Sequence, residues 1–480
     1  MLRKIRIAAA AFFFVLTTLL FLDFTGTLHA WLGWMAKIQF LPALLALNVG
    51  VVAFLVILTL LFGRVYCSVI CPLGVMQDVI SWASGKRRKH RNRFAYSPAL
   101  TWLRRGMLVV FVAAMLAGVG SLLAPYSAYG RIASNLLAPV YAWGNNLLAY
   151  IAERMDSYAF YSVDVWMKGL STFLVAVVTF VVLFILAWRN GRTYCNTVCP
   201  VGTVLGFLAR YSLFKPRFDT SKCNGCKLCA RNCKASCIDP VAHKIDYSRC
   251  VACMDCLENC RQGAITYTLR RRNPVPASAS RKPAADAAKA PSDASRRRFL
   301  GLAVIADKKV PNRTTPVVPP GARSLRHFNA HCTGCQLCVS VCPNQVLRPS
   351  GKLMTLMQPE MSFERGYCRP ECAKCAEVCP TDAIRLTGLA EKSSIQIGHA
   401  VWIAENCVVN TDGVTCNNCA RHCPAGAISM VHRDPDDPKS PRIPAVNEER
   451  CIGCGACENL CPARPFSAIY VEGHSRHRTV

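Results

Sequence analysis

Six runs of four cysteines constrain this chain more than any other feature of its sequence. The first is Cys223, Cys226, Cys229 and Cys233, and the second is Cys250, Cys253, Cys256 and Cys260. The third is Cys332, Cys335, Cys338 and Cys342, and the sixth is Cys451, Cys454, Cys457 and Cys461. Between them, Cys368, Cys372, Cys375 and Cys379 carry one extra residue in the first gap, and Cys407, Cys416, Cys419 and Cys423 have a first gap of eight. The last four runs end in Cys-Pro. Three closely spaced thiolates can wrap one [4Fe–4S] cluster, while the fourth, followed by proline in bacterial ferredoxins, ligates the other cluster of a pair.

Crossing the fourth ligands in the first two runs puts one cluster on Cys223, Cys226, Cys229 and Cys260, and another on Cys250, Cys253, Cys256 and Cys233. Lys234 and Arg261 stand where proline is expected. Cys237 lies four residues beyond Cys233 and could replace it; the standard spacing favours Cys233, with Cys237 a spare thiol. Zinc sites built from four cysteines pair two Cys-x2-Cys knuckles, a pattern these tandem runs do not follow. No Cys-x2-Cys-His occurs, so the pattern offers no c-type haem. The small-then-apolar tails Ala383-Ile384 and Gly426-Ala427-Ile428 suit the helix and strand that pack behind a cluster, so the expected fold of these regions is α+β and bacterial-ferredoxin-like.

Four apolar stretches, 7–24, 42–62, 106–125 and 169–188, are long enough to cross a bilayer as helices. The first follows Arg3, Lys4 and Arg6 but lacks a small-x-small cleavage site, and reads as a retained anchor rather than a signal peptide. Lys and Arg crowd the loop after the second stretch, from Arg64 through Arg105, which places that loop, both termini and everything beyond Trp188 in the cytoplasm of a bacterial inner membrane. The segment 133–152, interrupted by Pro139, Gly144, Asn145 and Asn146, is expected at the outer interface without crossing. His29, Trp31 and Trp34 fall in the first outer loop, where they suit headgroup contact or interfacial anchoring.

The domains expected are a four-helix membrane unit at 1–210, a two-cluster unit at 211–269, a Pro/Ala/Ser/Arg linker at 270–325 and a four-cluster unit at 326–480. Ser295-Arg296-Arg297-Arg298-Phe299-Leu300 in the linker resembles a twin-arginine export signal; it reads as a relic, the alternative being that it still directs the last unit outward. The formal charge of +29 is concentrated in loops beside the apolar stretches and in the linker, and the clusters, at roughly −2 each, offset part of it. Nucleic-acid binding is therefore excluded as the explanation, and no nucleophile–base pair or nucleotide loop is evident.

The remaining cysteines form a repeat: Gly63-Arg64-Val65-Tyr66-Cys67-Ser68-Val69-Ile70-Cys71-Pro72-Leu73-Gly74 matches Gly191-Arg192-Thr193-Tyr194-Cys195-Asn196-Thr197-Val198-Cys199-Pro200-Val201-Gly202. Two copies of one hairpin related by a pseudo-two-fold axis would bring Cys67, Cys71, Cys195 and Cys199 together. They would then hold a metal or further cluster, or form redox-active pairs; otherwise they simply pack in a turn.

Residues 1–270, with their apolar spans, paired Cys-x3-Cys-Pro motifs and two-cluster unit, resemble the NapH family of membrane polyferredoxins and its methylamine-utilisation relatives. The second unit resembles the NapG family of four-cluster ferredoxin-type proteins. The resemblance implies a nested exchange of ligands. Cys461 would complete the cluster of Cys332, Cys335 and Cys338, and Cys342 that of Cys451, Cys454 and Cys457. Cys423 would complete Cys368, Cys372 and Cys375, and Cys379 would complete Cys407, Cys416 and Cys419. It also implies a membrane-bound carrier of about six clusters that passes electrons between the quinone pool and a protein redox partner. The alternative function is a maturation or regulatory factor that keeps a metalloenzyme reduced or assembled.

Overall fold

The computed structural model describes residues 1–23, 26–87, 93–116, 123–157, 159–269, 313–352, 355–385 and 388–479. The helical part begins with α1 (Leu2–Leu22), three short helices α2 (Thr27–Leu32), α3 (Trp34–Lys37) and α4 (Phe40–Leu45), and α5 (Val49–Phe62). Then come α6 (Val65–Val69), α7 (Pro72–Gly85), α8 (Thr101–Leu116) and α9 (Pro125–Ile132). A π-helical turn at Ala133–Leu137 leads into α10 (Ala138–Arg154), followed by α11 (Leu170–Asn190), α12 (Thr193–Thr197) and α13 (Pro200–Ala209).

Of the four expected spans, only α1 and α11 are, among the described residues, both long and apolar enough to cross a membrane. At 21 residues each they reach about 31 Å. The stretch 42–62 divides instead: Asn48 caps α5 through its side-chain oxygen, which accepts from the Val51 N–H, so only 14 residues remain in the main helix. The stretch at 106–125 begins earlier, at Thr101, and its end lies partly outside the described residues. Phe12, Val15, Phe54, Val109, Val178 and Val182 all point outward.

The sequence repeat is a structural repeat. α5 stops at Gly63 (φ +74°) and α11 at Gly191 (φ +67°). Each is followed by a one-turn helix, a cysteine, and a helix opened by proline at its first position, α7 after Cys71 and α13 after Cys199. At Gly74 and Gly202 the turn leaves no room for a side chain. A β-carbon would collide with the Cys67 carbonyl in one copy and the Cys195 carbonyl in the other.

The first ferredoxin-like unit pairs strand β1 (Phe214–Phe218) with β4 (Ile265–Leu269), and β2 (Ile238–Asp239) with β3 (Lys244–Ile245), both antiparallel. Helices α14 (Leu228–Arg231) and α15 (Asp255–Asn259) each follow a cysteine loop. In the second unit α16 (Leu325–His331) precedes α17 (Leu337–Val341), and three antiparallel pairs follow: β5 (Leu347–Pro349) with β6 (Pro359–Met361), β7 (Ile395–Trp402) with β10 (Ile469–Thr479), and β8 (Ile428–His432) with β9 (Arg442–Val446). This unit starts earlier than its cysteines suggest. Val317 and Val318 are buried, and Val317 accepts a hydrogen bond from Met361 N–H. The rest of the linker expectation, with the twin-arginine-like Ser295–Leu300, lies outside the described residues.

The two units sit at opposite ends of the long helices. At the start of α1, Arg3 pairs with Asp255 at 2.8 Å, and just past α11 the Arg192 N–H bonds to the Lys234 carbonyl at 2.9 Å. At the other ends, a β-carbon on Gly26 would lie 3.0 Å from Lys374 Nζ, and one on Gly351 would lie 3.4 Å from Ser171 Oγ. The units therefore stand at opposite ends of α1 and α11, whereas the sequence reading sets them side by side. The segment 133–152 is helical, and its start meets the second unit, where Asn135 Nδ2 donates to Gln336 Oε1 at 3.0 Å.

Candidate metal centres

The four runs with standard spacing share one backbone shape. Between the first and second cysteine sits a left-handed residue: Gly225, Ala252, Gly334 or Gly453. A second follows the second cysteine: Lys227, Met254, Gln336 or Gly455. Left-handed backbone costs a non-glycine residue about 1–2 kcal/mol, and it persists where the surroundings impose it. Alternating conformations of this kind turn successive N–H groups toward an anion, which suits a cluster carrying net negative charge. The two irregular runs differ here, with Ala373 (φ −111°) and Asn417 (φ −134°) in the second position. A third left-handed residue stands three places after the fourth cysteine in five runs, at Ser236, Gly263, Gln345, Asp382 and Gly426. Ser236 keeps that register from Cys233, even though Lys234 replaces proline.

Four cavities are each ringed by thiols. Cys223, Cys226, Cys229 and Cys260 line one. Cys250, Cys253, Cys256 and Cys233 line another, together with Cys237. In the second unit Cys368, Cys372 and Cys375 surround a cavity with Cys342, and Cys407, Cys416 and Cys419 surround one with Cys461. Cys332, Cys335 and Cys338 lie in the electrostatic reach of Cys379, and Cys451, Cys454 and Cys457 in that of Cys423. The nested exchange is thereby corrected. The fourth cysteines swap within adjacent pairs of runs, the third run with the fourth and the fifth with the sixth. Burial pushes the thiols of Cys253, Cys256, Cys338 and Cys457 well above the ordinary range, and bound metal is what makes such thiolates favourable. Backbone N–H groups reach the fourth sulfurs: Ala264 to Cys260 at 3.2 Å, Ala427 to Cys423 at 3.2 Å and Ala468 to Cys461 at 3.3 Å. The residues present therefore fit [4Fe–4S] clusters.

Cys237 stands 3.5 Å from Cys233, sulfur to sulfur. The sulfur–sulfur hydrogen bond holds the Cys233 thiol below its ordinary range, while hydrogen bonding to Cys233 and Cys250 pushes Cys237 well above it. Cys233→Ser should therefore remove about four iron atoms, whereas Cys237→Ser should retain them and shift only the spectrum of that centre. Iron analysis beside electron paramagnetic resonance checks this; equal iron loss in both variants would reverse the assignment.

Cys67, Cys71, Cys195 and Cys199 are all buried and within electrostatic reach of one another. Burial pushes Cys71 up to about 12. The two repeats exchange arginines. Arg192 Nη1 donates to the Cys67 carbonyl at 2.6 Å, and Arg64 Nη2 donates to the Cys195 carbonyl at 3.2 Å. Gln77 Nε2 lies 3.3 Å from Cys195 Sγ, Arg64 Nη2 lies 3.8 Å from Cys67 Sγ, and the Gly202 N–H reaches Cys199 Sγ at 3.4 Å. Arg192 is balanced by Asp78 at 2.8 Å. Arg64 is fully buried, and its described hydrogen bonds go to Asn196, to Ser248 and Arg249 carbonyls, and to Cys67 and Cys195, none of them a carboxylate. Among the described residues no group of Cys, His, Asp and Glu is gathered tightly enough for a single metal ion.

Both arginines were visible in the repeat, but their crossing was not. Gln77 and Asp78 carried no sequence signal at all. His29 is buried against Asp23, its Nδ1 2.8 Å from Asp23 Oδ2, whereas Trp31 and Trp34 are exposed.

Comparison with known proteins agrees with this geometry. A 4Fe-4S binding domain profile matches residues 44–90 and 172–221, the two hairpin repeats. One 4Fe-4S dicluster profile matches 331–383 and 414–464, and a second matches 246–346. The chain is 32% identical over 175 residues to the methylamine utilization ferredoxin-type protein MauM of Methylophilus methylotrophus, covering 73% of that protein and 34% of this one. The chain belongs to this ferredoxin-type iron–sulfur family. The ferredoxin-type protein NapG of Escherichia coli K12 is 32% identical over 154 residues, 64% of its length and 30% of this chain. NapF of the same strain is 29% identical over 189 residues, 98% of its length and 38% of this chain. No solved structure matches. The chain is thus an iron–sulfur electron-transfer protein, and the dicluster match over 331–383 encloses two neighbouring cysteine runs.

Proposed function

We propose that this protein conducts electrons across a membrane, between the quinone pool and a protein redox partner, through about six [4Fe–4S] clusters divided between its two faces. The carrying observation is the docking of the two ferredoxin units at opposite ends of α1 and α11. Phe94 and Ser97, in the described part of the Lys/Arg-rich loop, bond to Arg231 and Ser236 of the first unit, which supports the reading of that unit as cytoplasmic and the second as outer. The clusters supply one-electron redox chemistry; the chain fixes their spacing, exposure and hydrogen bonds.

Cys67, Cys71, Cys195 and Cys199 complete the route as a further thiolate-ligated redox or metal centre. Arg64 connects them to the carbonyls of Ser248 and Arg249, next to Cys250. On the other side Tyr194 bonds to the Leu123 carbonyl at 3.5 Å, and Gly130 of α9 abuts the Cys335 carbonyl. A buried cation without a carboxylate partner favours an anionic occupant.

Anaerobic purification in detergent should yield about 24 iron atoms per chain, or more if the four-thiol centre holds iron. Adding a quinol should reduce the clusters, and protease should reach the two units from opposite faces of sealed vesicles. Full clusters that dithionite reduces and quinol does not would transfer the reading to a maturation role; cleavage of both units from one face would end the transmembrane reading.

A further inference from the structure

A cavity of about 640 Å³ lies where the end of α1 meets the second ferredoxin unit, within the 300–1,000 Å³ range of small-molecule sites. Three kinds of wall surround it. Phe21, Leu22 and Ala142 are apolar; Asp23, Asp164, Lys168 and Lys374 are charged; and Cys342 with Pro343 forms the third side. Cys342 also lines the neighbouring thiol cavity with Cys368, Cys372 and Cys375, so one wall of the larger cavity is the back of a cluster site. Tyr141, beside Ala142 on α10, is exposed on the outside of the protein, as are Val140 and Trp143, which gives the cavity an apolar approach.

Asp23 is a built element of that wall. It is buried at the end of α1, where Oδ1 accepts from Gly26 N–H at 2.9 Å, and Oδ2 accepts from the His29 N–H at 3.1 Å. His29 Nδ1 lies 2.8 Å from Oδ2, and the buried His29 Nε2 has no hydrogen-bond partner. A carboxylate held by an imidazole, in the wall of a mixed polar and apolar cavity that Cys342 also lines, is an arrangement for removing a proton while electrons leave by another path.

We infer that this cavity is the site of a lipid-soluble quinol, with Asp23 accepting the proton of one ring hydroxyl, backed by His29, and Lys168 donating to the opposite ring oxygen. The inference rests on the quinone reading above and names its site. Oxidation breaks the two O–H bonds of the quinol. One proton passes to Asp23, the other leaves to water, and two electrons pass singly to the iron–sulfur clusters assigned to the neighbouring thiols. The ring becomes a quinone. The apolar wall holds the ring, and α10 faces the lipid from which it enters.

The test uses the anaerobic, cluster-loaded full chain and two variants. Ala142→Trp fills the cavity from α10, and Asp23→Asn keeps the shape while removing the proton acceptor. Binding is read by fluorescence quenching of the quinol analogue 2-heptyl-4-hydroxyquinoline N-oxide, and turnover by the rate at which a short-chain quinol reduces the clusters. Iron content and the dithionite-reduced spectrum identify variants that have kept their fold. Ala142→Trp should weaken analogue binding about tenfold or more. Asp23→Asn should leave binding within about threefold yet slow quinol-dependent reduction about 100-fold. If the unsubstituted protein is reduced by quinol and both loaded variants behave like it, this site is wrong while the quinone reading stands. If the unsubstituted protein ignores quinol altogether, the broader reading fails with it.

Discussion

Pairing Cys342→Ser with Cys375→Ser is expected to cost no more iron than either substitution alone. The structure puts both sulfurs around one cavity, so each single variant should lose the same centre, about four of about 24 iron atoms. Two residues that act on one site are non-additive in this way, while residues on separate sites add. The nested exchange makes the opposite forecast: Cys342 would belong with Cys451, Cys454 and Cys457, and the double variant would lose about eight. Cys423→Ser with Cys457→Ser repeats the test in the second pair, where Cys423 lies in the electrostatic reach of Cys457. Iron and acid-labile sulfide analysis of the three proteins reads the result directly.

Asp78→Asn is expected to be among the most destabilising single substitutions in the chain. The carboxylate is buried on α7, 2.9 Å from Arg6, 2.8 Å from Arg192 and 3.7 Å from Lys234. It therefore binds together α1, the second hairpin repeat and the first ferredoxin unit. Removing one partner of a buried pair costs about 3–5 kcal/mol, because the cations that remain are left without compensation. Burial alone would raise this carboxyl's pKa, but Arg192, Lys234 and Arg6 together outweigh it and hold the group well below the usual carboxylate range. The stabilisation is therefore complete above the unfolded value of about 3.9 and is lost only as pH falls through the lower folded value. Thermal unfolding in detergent should show a lowered midpoint for the variant at pH 7. The contribution of Asp78 should be unchanged between pH 7 and pH 5, so a difference between variant and parent that shrinks over that interval would contradict the assignment.

Lys234 gives meaning to a departure that looks like a defect in the sequence. Where a ferredoxin run ends in proline, this one ends in a lysine that reaches Asp255 at 3.0 Å as well as Asp78, and its carbonyl accepts from Arg192. The position has been given to docking. The turn itself survives through Ser236.

The cysteine runs were legible because a loop of three close thiols is a local object. Its ligand spacing is fixed by a few residues of backbone, and the shared left-handed positions at Gly225, Ala252, Gly334 and Gly453 express that same local constraint. The hairpin repeat was legible for the same reason, through Gly63 and Gly191, Cys71-Pro72 and Cys199-Pro200. What tertiary structure decided is everything that joins distant segments. Cys342 and Cys461 could each meet any of several loops, and only the packing of the second unit selects Cys368 for one and Cys407 for the other. The end of α1 at which that unit docks is set by contacts at Gly26, Gly130 and Ser171, small groups with no periodic signal. The crossed arginines likewise required side chains from separated elements to meet in a buried place. Sequence determined which chemistry the chain holds; the long-range packing that joins distant segments decided where it stands.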